Sequence, residues 1–259
     1  MPGGTRELSY TVNLTIRIIV AAALAVILGN GSVVAFNNIR AKWFEDWPEG
    51  TAAADRDETS KVLPAELVSA DNEGRQRLPS TPWKYAFVGY FGICGLYLAL
   101  WGGSLSYEIC VLCVLFVVLE MAISDQLYMI VPDQFSIALA VMSVSFFRYH
   151  DNWWEPLAGA GTGLLLSVAI FALGMLLFRT GSLGGADVKF YTCMGFIAGR
   201  AGIIAIFILT TLLFALYSLI KIAAGKGSLK DSNPMMPPAC AACTIYFLFL
   251  FNTLDTWIL

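Results

Sequence analysis

AGIIAIFILTTLLFALYSLIKI, residues 201–222, is the stretch that decides the fold, because only Lys221 among its residues is charged. A helix of about 20 apolar residues crosses the hydrocarbon core of a bilayer, which is about 30 Å thick. Further apolar stretches lie at 18–36, 85–101, 107–124, 134–149, 157–178, 188–199 and 238–254. Together they predict about eight spans, or seven if the short stretch 188–199 is a half-buried helix packed against protein.

The composition indicates an integral membrane protein. The chain has 259 residues, 58% of them hydrophobic and 14% charged, and its mean hydropathy is +0.69. These values exceed what a soluble core requires. We therefore predict an all-α, polytopic membrane helix bundle, with the lipid bilayer as a partner. The net charge of −3 and the lack of a basic patch argue against nucleic acid binding.

The sequence predicts three regions. An N-terminal segment with the first transmembrane helix covers 1–36, and we expect this helix to be retained because no small-residue cleavage site follows it. A polar stretch with few aliphatic residues covers 37–84 and is expected to be a cytoplasmic loop region. The membrane-embedded domain covers 85–259.

The positions of Lys and Arg predict the orientation. With eight spans and the N-terminus outside, twelve of these residues fall inside and four fall outside or at outer ends, namely Arg6, Arg17, Arg148 and Arg200. The stretches 134–149 and 157–178 then form an out-and-back hairpin. Asp125 and Asp187 should therefore both lie at the cytoplasmic face.

These two aspartates are the candidate catalytic residues. Asp125 stands in SDQLYMIVPD (124–133) and Asp187 in GSLGGADVK (181–189), each directly after an apolar run. Two carboxylates a few Å apart cannot both ionise cheaply, so the pair holds one shared proton. One member then takes a proton from water while the other polarises a scissile carbonyl, which is the chemistry of an aspartic protease. The alternative interpretation is that each aspartate only caps a helix at a water boundary.

Small residues precede the second aspartate. Gly184, Gly185 and Ala186 place no bulky side chain before Asp187, so an extended substrate backbone could come near it. A simple helix cap does not require this. We therefore predict that these three residues form the substrate approach.

These motifs resemble those of the type IV prepilin peptidases, the leader peptidase and N-methyltransferase enzymes of pilus and type II secretion systems. In that family the first aspartate stands seven residues before a Pro-Asp or Pro-Asn pair, as Asp125 does before Pro132 and Asp133. The second ends a Gly-x-Gly-Asp motif followed by x-Lys, which Asp187 and Lys189 nearly reproduce, with Ala186 replacing the second glycine. The resemblance implies cleavage of prepilin or pseudopilin leaders at the bacterial inner membrane, on its cytoplasmic side.

The resemblance covers nearly the whole chain. Gly31–Asn38, Trp83–Tyr85 and Asn233–Pro238 are similar to family stretches at the first, second and last spans. It also implies methylation of the new N-terminus with S-adenosylmethionine as donor, through residues that remain unknown. The paired Cys-x-x-Cys motifs of many members are missing from 37–84, so no metal is expected. Cys110, Cys113, Cys240 and Cys243 have metal-like spacing but lie in apolar helices, where packed thiols are expected.

Two other functions remain open from the residues. A presenilin-like intramembrane protease shares a Gly-x-Gly-Asp signature, but would have Tyr-Asp where this chain has Ser124 and Asp125. A transporter would use the paired carboxylates to bind a proton or cation at mid-membrane. No inverted repeat is visible in the sequence to support the transporter.

Overall fold

The computed structural model describes residues 3–39, 69–70, 76–101, 103–178, 184–224 and 233–251. Seven α-helices follow one another in these residues: α1 (Gly3–Asn38), α2 (Ser80–Trp101), α3 (Leu105–Tyr128), α4 (Asp133–Ser143), α5 (Glu155–Phe178), α6 (Gly185–Ala223) and α7 (Met236–Ile245). A 3₁₀ helix at Val144–Tyr149 continues α4, and a π-helical turn at Tyr246–Leu250 continues α7. The predicted all-α class is confirmed.

A short strand pair is the one addition to the helices in the part of the chain that the structure describes. β1 (Ser69–Ala70) pairs antiparallel with β2 (Gln76–Arg77). Most of the predicted loop 37–84 lies outside the described residues. Its described ends are joined by Asn37, whose side chain donates to the carbonyl of Leu78 at 2.8 Å and accepts from its N–H at 2.9 Å.

The helix α6 folds back on itself at Gly199. Its φ of 71° and ψ of −177° break the helix, and glycine adopts this conformation without a steric penalty. The rings of Tyr191 and Phe207 lie 5.2 Å apart, whereas sixteen residues of straight helix would separate them by about 24 Å. The two halves, 185–198 and 200–223, therefore run antiparallel.

Side chains from neighbouring elements satisfy the backbone groups that this break releases. The Tyr246 hydroxyl donates to the carbonyl of Ala198 at 3.0 Å, and Nε2 of His150 lies 3.0 Å from the carbonyl oxygen of Ile197. The N–H of Arg200 donates to Glu155 Oε1 at 3.0 Å. Unsatisfied backbone groups cost several kcal/mol each in hydrocarbon, about as much as a whole hydrogen bond. The break is stable because each of these groups has a partner.

Division of α6 at Gly199 gives eight helical segments, and each coincides with one of the eight predicted apolar stretches. Within the described ranges, five helices are long and apolar enough to cross a membrane: Thr11–Asn38, Ser80–Trp101, Leu105–Tyr128, Glu155–Leu173 and Gly185–Ala223, the last counted through its break. The segments 133–149 and Met236–Leu250 are shorter. The chain is a multi-pass membrane protein.

The helices form two compact units. The first contains α1, the strand pair, α2 and α3 as far as Phe116; the second contains α3 from Val117 together with α4 to α7. In the first unit, Arg17 pairs with the fully buried Glu108 at 3.4 Å and donates to the carbonyl of Leu98 at 2.6 Å. An ion pair of this kind keeps both charges away from lipid.

Glycines allow α5 to pack directly on the backbone of α6 in the second unit. A Cβ at Gly159 would overlap the backbone of Gly195 and of Gly199, and one at Gly163 would overlap the carbonyl of Tyr191. Small residues of this kind are typical of closely packed membrane helices. This close approach fixes where each half of α6 lies along the axis of α5.

We expect Gly159→Ala to lower the melting temperature of the protein in detergent, whereas Gly161→Ala will not. The first change forces α5 and α6 apart, and such overpacking costs about 1–3 kcal/mol. Gly161 lies on the same helix, but a Cβ there meets nothing within 4 Å, and alanine is the better helix former. Equal melting temperatures for the two variants would show that the glycine contact does not hold the helices together.

Candidate active site

Asp125 lies near the end of α3, where the chain turns into α4. Met129 has a φ of 52° and its N–H donates to the carbonyl of Asp125 at 2.9 Å, which closes the last turn of the helix. The hydroxyl of the buried Ser124 donates to the carbonyl of Ile130 at 2.5 Å. These local bonds fix the backbone of the half-buried Asp125.

The Asp125 carboxylate accepts a hydrogen bond from the start of α7. The N–H of Met236 donates to Asp125 Oδ2 at 2.8 Å. Met235 is the N-cap of α7 and Met236 its first residue. The carboxylate therefore caps a helix that begins 111 residues later in the chain.

Asp187 is the third residue of α6 and is also half-buried. Its Oδ2 accepts a hydrogen bond from the N–H of Gly184 at 3.0 Å. This is one half of a capping box, since Gly184 has no side chain to return the bond. The capping interpretation of both aspartates is thus correct as a description of their local contacts.

The two carboxylates nevertheless lie within electrostatic range of each other. Asp125 acts electrostatically on Asp187, although 62 residues separate them in the sequence. Tyr191, one turn after Asp187 and almost fully buried, also interacts with it electrostatically. Each aspartate uses an oxygen for a cap at a helix end, and each stays partly exposed. This arrangement is suited to general acid–base chemistry on a substrate that reaches the pair.

The predicted substrate approach lies open. Gly184 and Gly185 are exposed; a Cβ at Gly185 meets nothing within 4 Å, and one at Gly184 meets only Asp187 Oδ2 at 3.6 Å. Ala186 is helical and does not have a positive φ, so the alanine that replaces the family glycine is not strained. Crowding within the described chain does not explain why these residues are small, and their proposed role in substrate approach stays a prediction.

An ion pair near the aspartates could not be identified from the sequence. Lys189 Nζ contacts Asp133 Oδ1 at 2.6 Å, with both side chains about half exposed or more. Asp133 is the first residue of α4, and Pro132 occupies the N-cap position. Exposed ion pairs contribute little stability, about 0–1 kcal/mol. The contact ties the start of α4 to the start of α6.

Other candidates lie away from the pair or form no cluster. His150 contacts the carbonyl of Ile197, ten residues of helix beyond Asp187, and this bond cannot be predicted from the sequence because it joins distant parts of the chain. All six cysteines are free thiols, and Cys94, Cys240 and Cys243 are buried. Among the described residues no three His, Cys, Asp or Glu side chains group as a metal site. Residues for a methyl donor are not identified.

The comparisons with known proteins agree with these motifs. The sequence profile of the type IV leader peptidase family matches residues 109–219, a range that contains both aspartates. A protein named prepilin leader peptidase/N-methyltransferase, from Bacillus subtilis (strain 168), is 25% identical over 130 residues. This match covers 49% of the chain and 50% of that relative, so the chain spans about half the length of the relative. No solved structure matches the chain.

The matched family is the one that the spacing of Asp125 from Pro132 and the glycine-rich motif before Asp187 had indicated. The resemblance is therefore confirmed over residues 109–219, which match the type IV leader peptidase family.

Proposed function

We propose that this chain is a membrane aspartic endopeptidase that removes the leader peptide of type IV prepilins or pseudopilins. The observation that carries the proposal is that two half-buried carboxylates from different helices, Asp125 of α3 and Asp187 of α6, lie within electrostatic range of each other. The family match supports the substrate class. The name of the Bacillus relative combines the same cleavage with methyl transfer.

The positions of the aspartates fit such a substrate. Both lie close to helix ends, with Asp125 three residues before the end of α3 and Asp187 third in α6. A prepilin contains a hydrophobic helix that lies in the bilayer, and its cleavage site would emerge at the level of these ends. A position at helix ends favours the peptidase over a transporter site at mid-membrane. The distribution of Lys and Arg supports the cytoplasmic face of a bacterial inner membrane.

The chemistry requires one proton on the pair. The ionised aspartate takes a proton from a water that attacks the scissile carbonyl, and the protonated aspartate donates to the carbonyl oxygen. The tetrahedral intermediate then releases the amine, which takes the proton from the first aspartate, while one hydroxyl of the intermediate returns its proton to the second aspartate. Both aspartates thereby return to their starting state.

We propose methylation of the new N-terminus as a second activity of the chain. S-adenosylmethionine would supply the methyl group, and the amine released by cleavage would accept it. We propose only the reaction, because no described residue is assigned to the binding of S-adenosylmethionine. The mass of the mature substrate distinguishes cleavage alone from cleavage with addition of one methyl group.

We expect Asp125→Asn and Asp187→Asn each to reduce prepilin cleavage to background, with normal accumulation in the membrane. Asparagine keeps the size and one acceptor oxygen, but it cannot exchange the proton, and this catalysis contributes about 10²- to 10⁴-fold to the rate. The assay uses purified protein in liposomes with a prepilin, and mass spectrometry of the product. Asp133→Asn is the matched control, because Asp133 begins α4 and pairs with Lys189 near the start of α6. This control variant should cleave prepilin normally. Substantial cleavage by either variant of the pair would exclude the proposed mechanism.

We expect Ala186→Gly to cleave normally, whereas Ala186→Leu and Gly184→Leu block cleavage. Leucine would fill the open space before Asp187 that the substrate backbone is proposed to enter. Initial rates at several prepilin concentrations measure the effect, and the melting temperature in detergent serves as the folding control. Leucine variants that cleave at the wild-type rate would show that the substrate approaches from elsewhere.

A further inference from the structure

A polar cluster ties the end of α6 to the segment that leads into α7. Lys221 Nζ donates to Asn233 Oδ1 at 2.6 Å, and Asn233 Nδ2 lies 3.5 Å from Ser218 Oγ. Ser218 and Lys221 are three residues apart, so they lie on one face of α6. Asn233 comes three residues before Met236, the first residue of α7. The end of α6 therefore holds the chain just before α7 begins.

The chain between Asn233 and the start of α7 is stiff. Pro234 follows Asn233 directly, and two further prolines, at 237 and 238, follow Met236. Proline fixes its own φ and also restricts the residue before it. Few backbone torsions can therefore change between the side chain of Asn233 and the N–H of Met236. A movement of Asn233 is passed on to Met236.

The N–H of Met236 orients the Asp125 carboxylate, to which it donates at 2.8 Å. Such a bond is directional, so it fixes how the carboxylate is turned. Proton transfer requires the reacting oxygen within hydrogen-bond reach of its partner, and a misplacement of about 1 Å can cost about 10²-fold in rate. A shift of the start of α7 would turn the carboxylate away, whichever proton transfer Asp125 performs.

Two simpler roles do not account for the cluster. Pro234 and Met236 are buried, but hydrophobic burial is non-directional and does not fix where an N–H points. A lysine near the end of a spanning helix commonly anchors it by placing the ammonium among the lipid headgroups. That role needs no partner such as Asn233, whereas here the ammonium of Lys221 contacts the Asn233 amide oxygen at 2.6 Å.

We infer that Lys221 and Asn233 are positioning residues for the proposed reaction, because they hold the start of α7 where the N–H of Met236 fixes the Asp125 carboxylate. The inference rests on the proposed peptidase function. In this role neither residue contacts the substrate, and both act through Met236. Loss of their bond should therefore slow the reaction and leave substrate binding unchanged.

The first test removes the acceptor and keeps the charge of Lys221. Asn233→Leu should lower kcat about 10- to 100-fold, with KM for the prepilin unchanged within about twofold. Asn233→Asp keeps an acceptor oxygen at the same place and should have a kcat close to that of wild type. Thr211→Val is the matched control, since the exposed Thr211 lies on the same half of α6 and donates to the carbonyl of Phe207 in its own helix; it should cleave at the wild-type rate. Initial rates in liposomes at several prepilin concentrations measure both constants, and a wild-type kcat in Asn233→Leu would overturn the inference.

The second test asks whether the two residues act through one bond, and it also serves if Asn233→Leu does not fold. Lys221→Met removes the donor and should lower kcat as Asn233→Leu does. The combined variant should be no slower than either single variant, because residues in contact are coupled. Asn233→Asp should not restore kcat in Lys221→Met. A purely structural role would lower the amount of folded protein and leave kcat per folded molecule unchanged, and independent, multiplied effects would contradict the inference.

Hydrogen exchange tests the attachment without an activity assay. Local opening at the start of α7 exposes its amides, so peptides covering 233–240 should exchange faster in Asn233→Leu and Lys221→Met than in wild type or Asn233→Asp. Unchanged exchange in both would overturn the inference whatever the activity. If wild type cleaves, both Asn variants of the aspartate pair are inactive and Asn233→Leu has the wild-type kcat, then the peptidase proposal stands and only the positioning role fails. If wild type cleaves no prepilin, the peptidase function fails, and the positioning role in that reaction falls with it even where exchange shows the attachment.

Discussion

The satisfaction of backbone hydrogen bonds where helices begin and break is the constraint on which the second unit depends. A free N–H or carbonyl that packing or lipid shields from water needs a partner from the protein. At Gly199 the partners are the side chains of His150, Glu155 and Tyr246. At the starts of α6 and α7 they are the carboxylates of Asp187 and Asp125. The two candidate catalytic groups therefore also hold the helix starts in place.

Because the candidate catalytic aspartates also cap helix starts, the packing of the helices elsewhere in the second unit determines where the aspartates lie. The glycines of α5 let both halves of α6 lie against α5. The reversal at Gly199 ends the first half of α6, and Asp187 lies at the opposite end of that half. The second half brings Lys221 back to Asn233, with a contact of 2.6 Å, just before the start of α7. α7 then meets Asp125. The proposed chemistry thus depends on close helix packing about 18 Å away, the length of twelve helical residues.

Much of the fold followed from the sequence, because hydropathy is a local property. Within the described residues all eight apolar stretches form helix, and the gap between the stretches 188–199 and 201–222 coincides with the break at Gly199. The contacts that organise the site could not be predicted, since Met236 lies 111 residues from Asp125 and His150 lies 47 from Ile197. The motifs identify both aspartates, yet the sequence alone presents capping and catalysis as alternatives. In the structure each carboxylate caps a helix start and still lies within electrostatic range of the other.

The meeting of Asp125 and Asp187 is the central claim, and a crosslinking rate tests it most directly. With the native cysteines replaced, the double variant Asp125→Cys and Asp187→Cys is treated in membranes with a short bifunctional thiol reagent, and the linked peptides are measured by mass spectrometry. The control pair is Asp125→Cys with Leu157→Cys, because Leu157 lies close to Glu155 and hence to the break at Gly199. We predict rapid linkage of 125 to 187 and little linkage of 125 to 157. Equally slow linkage of both pairs would contradict the account.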